Sequence, residues 1–223
     1  MSAIVLIRHG ETEWSRTHRH TGRTDLPLTP QGEAQVRQLR RRLQSLGGFA
    51  HVWTSPLRRA SDTCALAGFV TVSRTEPKLR EWDCGEYEGL TLEEIRARRP
   101  GWNLFRDGCP GGESPRQIGE RADALIAELR RLDDPGGAVA LFSHGHFLCA
   151  LAARWIGLDV REGARFRLDT ASFSVLDVEH NTDAEPSIAA WNVSESYSGA
   201  PRNPAVIGRR RSDRISVPSR QCA

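Results

Sequence analysis

Ala3-Ile4-Val5-Leu6-Ile7-Arg8-His9-Gly10 is the stretch on which the reading of the fold turns. Five apolar residues run without a break, the pattern of a strand covered on both faces, and the run stops abruptly on arginine, histidine and glycine. A second stretch repeats the design: Ala138–Phe142 leads straight into Ser143-His144-Gly145-His146. Between and after them, short apolar runs alternate with amphipathic stretches, which indicates an α/β fold with a largely parallel sheet. Thr29-Pro30 caps a helix that carries Val36, Leu39, Leu43 and Leu46 on one face and ends at Gly47-Gly48. Further helices are expected over Pro56–Ala67, Thr91–Arg98, Pro115–Arg131 and Phe147–Ile156. Strands are expected at Ala50–Trp53, Val70–Ser73, Ala164–Leu168, Phe173–Val178 and Ile188–Trp191.

The chain has 223 residues, 39% hydrophobic and 26% charged, which suits one substantial soluble domain and not a disordered chain. No apolar run approaches the roughly 18 residues of a spanning helix, and the apolar start, without a basic lead or cleavage site, reads as a strand and not a signal peptide. Cys64, Cys84, Cys109, Cys149 and Cys222 are odd in number and scattered, so they suit a reducing, cytoplasmic setting better than a disulfide framework or a zinc site. The net charge of +3 is misleading as a sign of nucleic-acid binding. Residues 195–223 carry Arg202, Arg209, Arg210, Arg211, Arg214 and Arg220 against Glu195 and Asp213, a net +4 that leaves residues 1–194 at −1. The domain is therefore placed at 1–194. The basic segment 195–223 reads as a disordered tail, with nucleic acid an unfavoured partner. A homo-oligomer stays open.

In an open α/β sheet, ligands bind at the carboxyl ends of the strands. His9 and His144 both fall at that edge, and the glycines after them allow a sharp turn and close approach to a ligand. Either histidine alone would read as an ordinary hydrogen-bonded structural residue; together they favour a shared site. Arg8 precedes one of them, and Arg58 and Arg59 follow the second strand. Their guanidinium forks match the oxygens of an anion, although pairing with surface carboxylates would account for them too.

Leu6-Ile7-Arg8-His9-Gly10-Glu11-Thr12-Glu13-Trp14 resembles the signature of the histidine phosphatase superfamily, which includes the cofactor-dependent phosphoglycerate mutases. Four further blocks follow in order: Thr21–Gly32, Ser55–Thr63, Leu79–Gly89, and Gly112-Glu113-Ser114 with Ser143–His146. The resemblance covers residues 3–192 and implies a three-layer α/β/α sandwich, phosphoglycerate mutase-like, acting on a small phosphorylated metabolite. It implies that His9 is the nucleophile, neutral and with its other ring nitrogen donating to a backbone carbonyl. Arg8, Arg59 and a protonated His144 would surround the phosphoryl group, with Ser15, Thr21 and Gly22 as further phosphate contacts. Glu81 would be the proton donor, its pKa raised by neighbours such as Asp83 or Glu86, with Asp83, Glu86 and Glu88 as substitutes for that role. His18, Arg19, His20 and Arg23 crowd one loop; His20 and Arg23 are candidate substrate contacts, and a solvated basic loop is the competing reading. No metal or cofactor is called for.

Cofactor-dependent mutases of the family carry an insertion between acid block and last histidine, with paired arginines that grip substrate. Here only 62 residues separate Glu81 from His144. Arg96, Arg98, Arg99 and Arg106 look like one side of a short helix and its exit. The expected reaction is therefore hydrolysis of a phosphate monoester through a phosphohistidine. The segment around Trp82 and Trp102–Cys109 further resembles a branch containing sedoheptulose-1,7-bisphosphatase and short bacterial acid phosphatases, which points to a sugar phosphate. A mutase, or a non-catalytic anion-binding module, are the alternatives.

Overall fold

Ile4–Arg8 forms strand β1, and its side chains alternate between two separate cores. Ile4 and Leu6 pack with Ile118, Leu125, Leu148 and Leu151, whereas Val5 and Ile7 pack with Val36, Leu39, Leu43 and Phe142. A strand whose successive residues enter opposite cores has no wet face, which is why its sequence shows no polar alternation.

The computed structural model describes residues 3–132, 137–178 and 185–194. After β1 come a single turn α1 (Glu13–Arg16), α2 (Pro30–Ser45), β2 (Phe49–Thr54), α3 (Arg58–Leu66) and β3 (Ser73–Thr75). Then follow α4 (Leu92–Arg98), α5 (Leu104–Asp107), α6 (Pro115–Arg131), β4 (Ala138–Ser143), α7 (Gly145–Trp155), β5 (Phe173–Val178) and β6 (Pro186–Val193). The strands form one sheet in the order β3-β2-β4-β1-β5-β6. The first four in that order run parallel, β5 pairs antiparallel with β1, and β6 pairs antiparallel with β5. Residues of α2 and α3 share one core, and residues of α6 and α7 share the other, so the sheet is the middle of three layers. The expected α/β class with a mostly parallel sheet is what the chain adopts.

Two expected strands are displaced. Val70–Val72 is a tight helical turn with Val70 60% and Val72 65% exposed, and pairing with β2 begins only at Ser73. Phe69, packed against Phe49 and Phe142, anchors the chain just before this turn, so burial of one aromatic outweighs the β-preference of two valines. Ala164–Leu168 is not a strand either. Val160–Arg165 is a helical turn capped by Asp159, and a Cβ at Gly163 would lie 2.6 Å from the Phe105 ring. Phe166 and Leu168 alternate because they anchor a loop. The short α5, capped by Asn103, and α1 were not evident from periodicity, since a single turn shows none. The segment 195–223, read from sequence as a disordered tail, lies outside the described residues.

The topology makes a crevice. β1 and β4 are parallel neighbours, yet the chain leaving β1 leads to α2 on one face and that leaving β4 leads to α7 on the other. Diverging exits between adjacent parallel strands open a gap at their carboxyl ends. The wall on the α2 side is set by contact between two glycines: a Cβ at Gly10 would lie 2.7 Å from the Gly32 carbonyl oxygen, and one at Gly32 only 2.2 Å from that of Glu11. Gly32→Ala should therefore force the first turn of α2 away from the segment after β1 and cost about 1–3 kcal/mol. Urea denaturation should show a lower midpoint at unchanged slope; an unchanged midpoint would mean the two backbones are not in close contact.

Candidate active site

Strand register creates the central pair. Arg8 lies opposite Ser143, so the next residues, His9 and His144, emerge side by side, their ring centroids 5.2 Å apart. The His9 amide continues the ladder to the Ser143 carbonyl at 3.1 Å, and on the other side of β4 the Ser55 amide reaches the Phe142 carbonyl at 2.9 Å. Three strand ends thus meet, although the histidines are far apart in sequence.

His9 is buried, with Nδ1 2.7 Å from the carbonyl oxygen of Gly10. A carbonyl can only accept, so Nδ1 carries the hydrogen and Nε2 keeps its lone pair. Burial, reinforced by the positive charges of Arg59 and Arg8, holds the His9 pKa well below the ordinary histidine value. The following glycines serve packing, because neither Gly10 nor Gly145 has a positive φ. The Gly10 amide donates to Thr63 Oγ1 at 3.1 Å, and a Cβ at Gly145 would sit 3.2 Å from Arg8 Nε. The expected sharp turn at each glycine is replaced by close approach.

The three arginines separate by role. Arg8 donates through Nη1 to the Leu168 carbonyl, and its buried Nε has no hydrogen-bond partner. Arg59 is fully buried; Nε donates to His144 Nδ1 at 3.1 Å, Nη1 to the Thr24 carbonyl at 2.9 Å and Nη2 to that of Gly22 at 2.9 Å. Burial lowers both guanidinium pKa values, and Glu81 opposes it. Arg58 turns away, pairing with Asp62 at 3.1 Å on the surface.

His144 departs from expectation. Its Nδ1 accepts from Arg59, so Nε2 bears the hydrogen and donates to Ser55 Oγ at 2.8 Å. Burial, then Arg59 and His9, push its pKa well below the ordinary value. The ring is neutral, not the imidazolium expected from the resemblance, because it lies beside a buried guanidinium.

Glu81 also differs. Its Oε1 accepts the amides of Trp82 and Phe147, each at 2.8 Å, and Oε2 accepts that of His146 at 3.1 Å. The carboxylate thus closes the N-terminus of α7, where unpaired amides favour negative charge. Burial alone would raise its pKa, but the adjoining His146 and the Trp82 amide outweigh it and hold the carboxyl well below the usual carboxylate range. The expected raising by Asp83 or Glu86 does not occur: the Glu81 pKa is lowered, and Asp83 is occupied by Arg23 at 3.1 Å. Glu88 is committed elsewhere, accepting the amides of Gly22, Thr24 and Arg23 at 2.8, 3.0 and 3.2 Å.

The block carrying Glu81 is tied down by Arg121 of α6. This guanidinium donates to the carbonyls of Lys78, Arg80 and Glu81 at 2.8, 2.6 and 3.2 Å and pairs with Glu113 at 2.7 Å. Glu113 in turn accepts the Asp83 amide at 2.9 Å. Neither Arg121 nor Ser55 nor Thr63 was singled out for a role from sequence. The one available signal was that Glu113, Ser55 and Thr63 lay inside recognised blocks.

The remaining candidates lie around this centre. Ser15 closes a capping box, accepting the Thr12 amide at 2.8 Å and donating to the Thr12 carbonyl. Thr21 donates to the Arg19 carbonyl at 3.1 Å, and the Gly22 amide is spent on Glu88. All three donors are engaged within the protein, so the phosphate contacts expected of them are not displayed. His18 has a positive φ of 54°, and Arg19 reaches Gly89 and Glu94. Arg96, Arg99 and Arg106 bind Trp102, Asp107 and Asp107 respectively. His20, by contrast, stacks on His146, next to Glu81.

A sheet-edge crevice with a neutral nucleophile-capable histidine beneath buried guanidinium groups defines an α/β enzyme for anionic substrates. The family model "Histidine phosphatase superfamily (branch 1)" matches residues 4–194, and the chain belongs to that family. It is 43% identical over 179 residues to an acid phosphatase of Mycobacterium tuberculosis, covering 79% of this chain and 87% of that protein. With the sedoheptulose 1,7-bisphosphatase of Saccharomyces cerevisiae it shares 36% identity over 186 residues, covering 71% and 69%. The solved structure of an open reading frame from Mycobacterium tuberculosis superimposes with a TM-score of 0.81 at 39% identity, covering 86% of this chain and 98% of that one.

The buried histidines make stability depend on pH. His9, His20 and His144 all have folded pKa values below the unfolded value of about 6.5, His20 at about 4. The unfolded chain then binds more protons, so stability is complete above about pH 6.5 and is lost as pH falls toward the folded values. The urea midpoint should fall between pH 7 and pH 4. His20→Gln should remove roughly 2–3 kcal/mol of that slope. A midpoint flat over this range would contradict neutral buried rings.

Proposed function

We propose that this enzyme hydrolyses a small phosphate monoester, a phosphorylated sugar or related metabolite, through a phosphohistidine on His9. The observation that carries the reading is the Nδ1 contact of His9 with the Gly10 carbonyl at 2.7 Å, which leaves Nε2 unprotonated beside Arg8 and Arg59. In the first step Nε2 attacks phosphorus while the ester oxygen departs with a proton from Glu81. In the second, water attacks the phosphohistidine and returns its proton to Glu81. The unpartnered Nε of Arg8 and the spare N–H of Arg59 meet the phosphoryl charge, His144 joins them once its Nε2–H turns from Ser55 to a phosphoryl oxygen, and no metal ion or cofactor is called on. Ser15, Thr21 and Gly22 join only by exchanging their present partners. His20 and Arg23 border the rest of the substrate.

Glu81 is ionised in its bed of amides, yet the reaction needs it protonated. An arriving phosphate dianion supplies the missing influence: a second negative charge within a few ångströms disfavours the carboxylate and raises its pKa. The acid is thus formed as the substrate binds.

The sugar-phosphate assignment rests on the relative that is a sedoheptulose 1,7-bisphosphatase, and the hydrolytic one on the short spacing between Glu81 and His144. A panel of sugar phosphates, bisphosphates and phosphoglycerates, assayed for free phosphate and for isomerised product, distinguishes phosphatase from mutase. We also place the enzyme in the cytoplasm. In support, Cys64, Cys84, Cys109 and Cys149 are free thiols, and among the described residues no helix is long and apolar enough to cross a membrane.

His9→Ala should abolish phosphate release from p-nitrophenyl phosphate in EDTA. Rapid quench with labelled substrate should trap acid-labile, base-stable label on wild type alone; equal label on the variant would remove His9 as nucleophile. Arg59→Ala should lose on the order of 10²-fold or more in kcat. Glu81→Gln should lose about 10²–10⁴-fold in burst rate on an alkyl phosphate and much less on p-nitrophenyl phosphate, whose leaving group departs without a proton. Equal losses would strip Glu81 of the acid role.

A further inference from the structure

The Glu81 carboxylate is enclosed by backbone amides and buried, and among the described residues one titratable side chain is positioned to exchange a proton with both it and solvent. That side chain is His146, in the first turn of α7. Its Nδ1 lies 3.5 Å from Glu81 Oε2, is shielded from water and has no hydrogen-bond partner, while the side chain as a whole is 38% exposed. The ring is held in this orientation from two directions. It stacks flat on His20, with centroids 5.9 Å apart and planes 5° from parallel, and meets the edge of Phe105 at 6.0 Å. His20 is fixed by its Nδ1 contact with the Leu90 carbonyl at 3.0 Å and by the Trp102 ring. Nothing in a purely packing role calls for a nitrogen at the buried edge. A phenyl ring would stack as well and leave no orphaned polar atom there.

We propose that His146 is the proton relay of Glu81, linking its buried carboxylate to solvent. The inference rests on Glu81 being the proton donor. When substrate charge raises the affinity of Glu81 for a proton, the Nδ1–H bond of the His146 imidazolium breaks and an Oε2–H bond forms, leaving a neutral ring and a neutral acid. The departing ester oxygen takes that proton and restores the carboxylate. In the second step the proton from water passes to Glu81 and back to His146, whose exposed edge exchanges with solvent. The cycle consumes ester and water, yields alcohol and phosphate, and returns both groups to their starting states. The titratable groups facing His146 are Glu81 and His20, and His144, Arg8, Arg59 and Arg121 lie near Glu81. Burial, and after it the proximity of His146, lowers the His20 pKa to about 4.

The test compares wild type with His146→Asn, which keeps a donor near Glu81, and His146→Phe, which keeps the stack. Burst rates are measured on β-glycerol phosphate and p-nitrophenyl phosphate, each at low and high imidazole buffer concentration. Both variants should lose tenfold or more on the glycerol ester, with a loss at least five times smaller on the aryl ester. Added imidazole should restore a substantial part of the glycerol-ester rate. Equal losses on the two esters, no loss, or rates indifferent to buffer would overturn the relay and leave His146 a packing residue. A wild type that forms no acid-labile label on His9 would instead overturn the phosphohistidine reading beneath it. Circular dichroism melting accompanies each variant, and His146→Gln replaces any that does not fold.

Discussion

A guanidinium with no exposure to water must find protein acceptors for nearly all its donors, and Arg59, itself in α3, finds them in two other parts of the chain. Its forks reach the carbonyls of Thr24 and Gly22 and the ring of His144, so α3, the loop after α1 and the end of β4 are held at one point. The same loop is gripped from beyond by the Glu88 carboxylate, and its Gly22 lies so close to Trp82 and Cys84 that a Cβ would stand 2.6 Å from their backbone atoms. The neutrality of His144 follows from this arrangement, since a ring that accepts from a buried cation cannot also hold a positive charge. The depressed pKa of His9 follows in part from it as well.

Glu81 is the counterweight. Two buried guanidinium groups beside two neutral histidines leave an excess of positive charge, and the carboxylate that acts most strongly on both is held ionised by three amides, two of them at the start of α7. Charge balance at rest and acid catalysis during turnover therefore make opposite demands on one residue. The site meets both when the incoming phosphate takes over as the counter-charge, which ties the readiness of the acid to occupancy by an anion.

Much of this could be read from residue order. Uninterrupted apolar runs at Ile4–Ile7 and Ala138–Phe142 reveal strands covered on both faces, and their abrupt ends mark the site edge. The fold class and the neighbouring histidines were legible because they depend on pattern and on strand ends. The displaced strands at Val70–Val72 and Ala164–Leu168 were not, because their local preferences were overridden by distant anchors, Phe69 on Phe142 in one case and Gly163 against Phe105 in the other. Protonation was illegible for the same reason. Whether His144 is charged depends on a contact with Arg59, 85 positions away, and whether Glu81 is ionised depends on amides 65 and 66 positions away. No spacing rule reports such contacts.

The segment that presents Glu81 has no sheet ladder or long helix of its own; short helical turns at Pro77–Leu79 and Gly85–Tyr87 flank it. Part of its rigidity is borrowed from Arg121, which gathers the carbonyls of Lys78, Arg80 and Glu81 onto one side chain and anchors them to α6. Leu79, Trp82 and Cys84 of the same segment are buried in the core that α6 and α7 share, so the acid cannot loosen without opening that core. On warming, the geometry of the acid and the fold are therefore lost together. The range of esters the enzyme can cleave then stays the same until the structure itself melts.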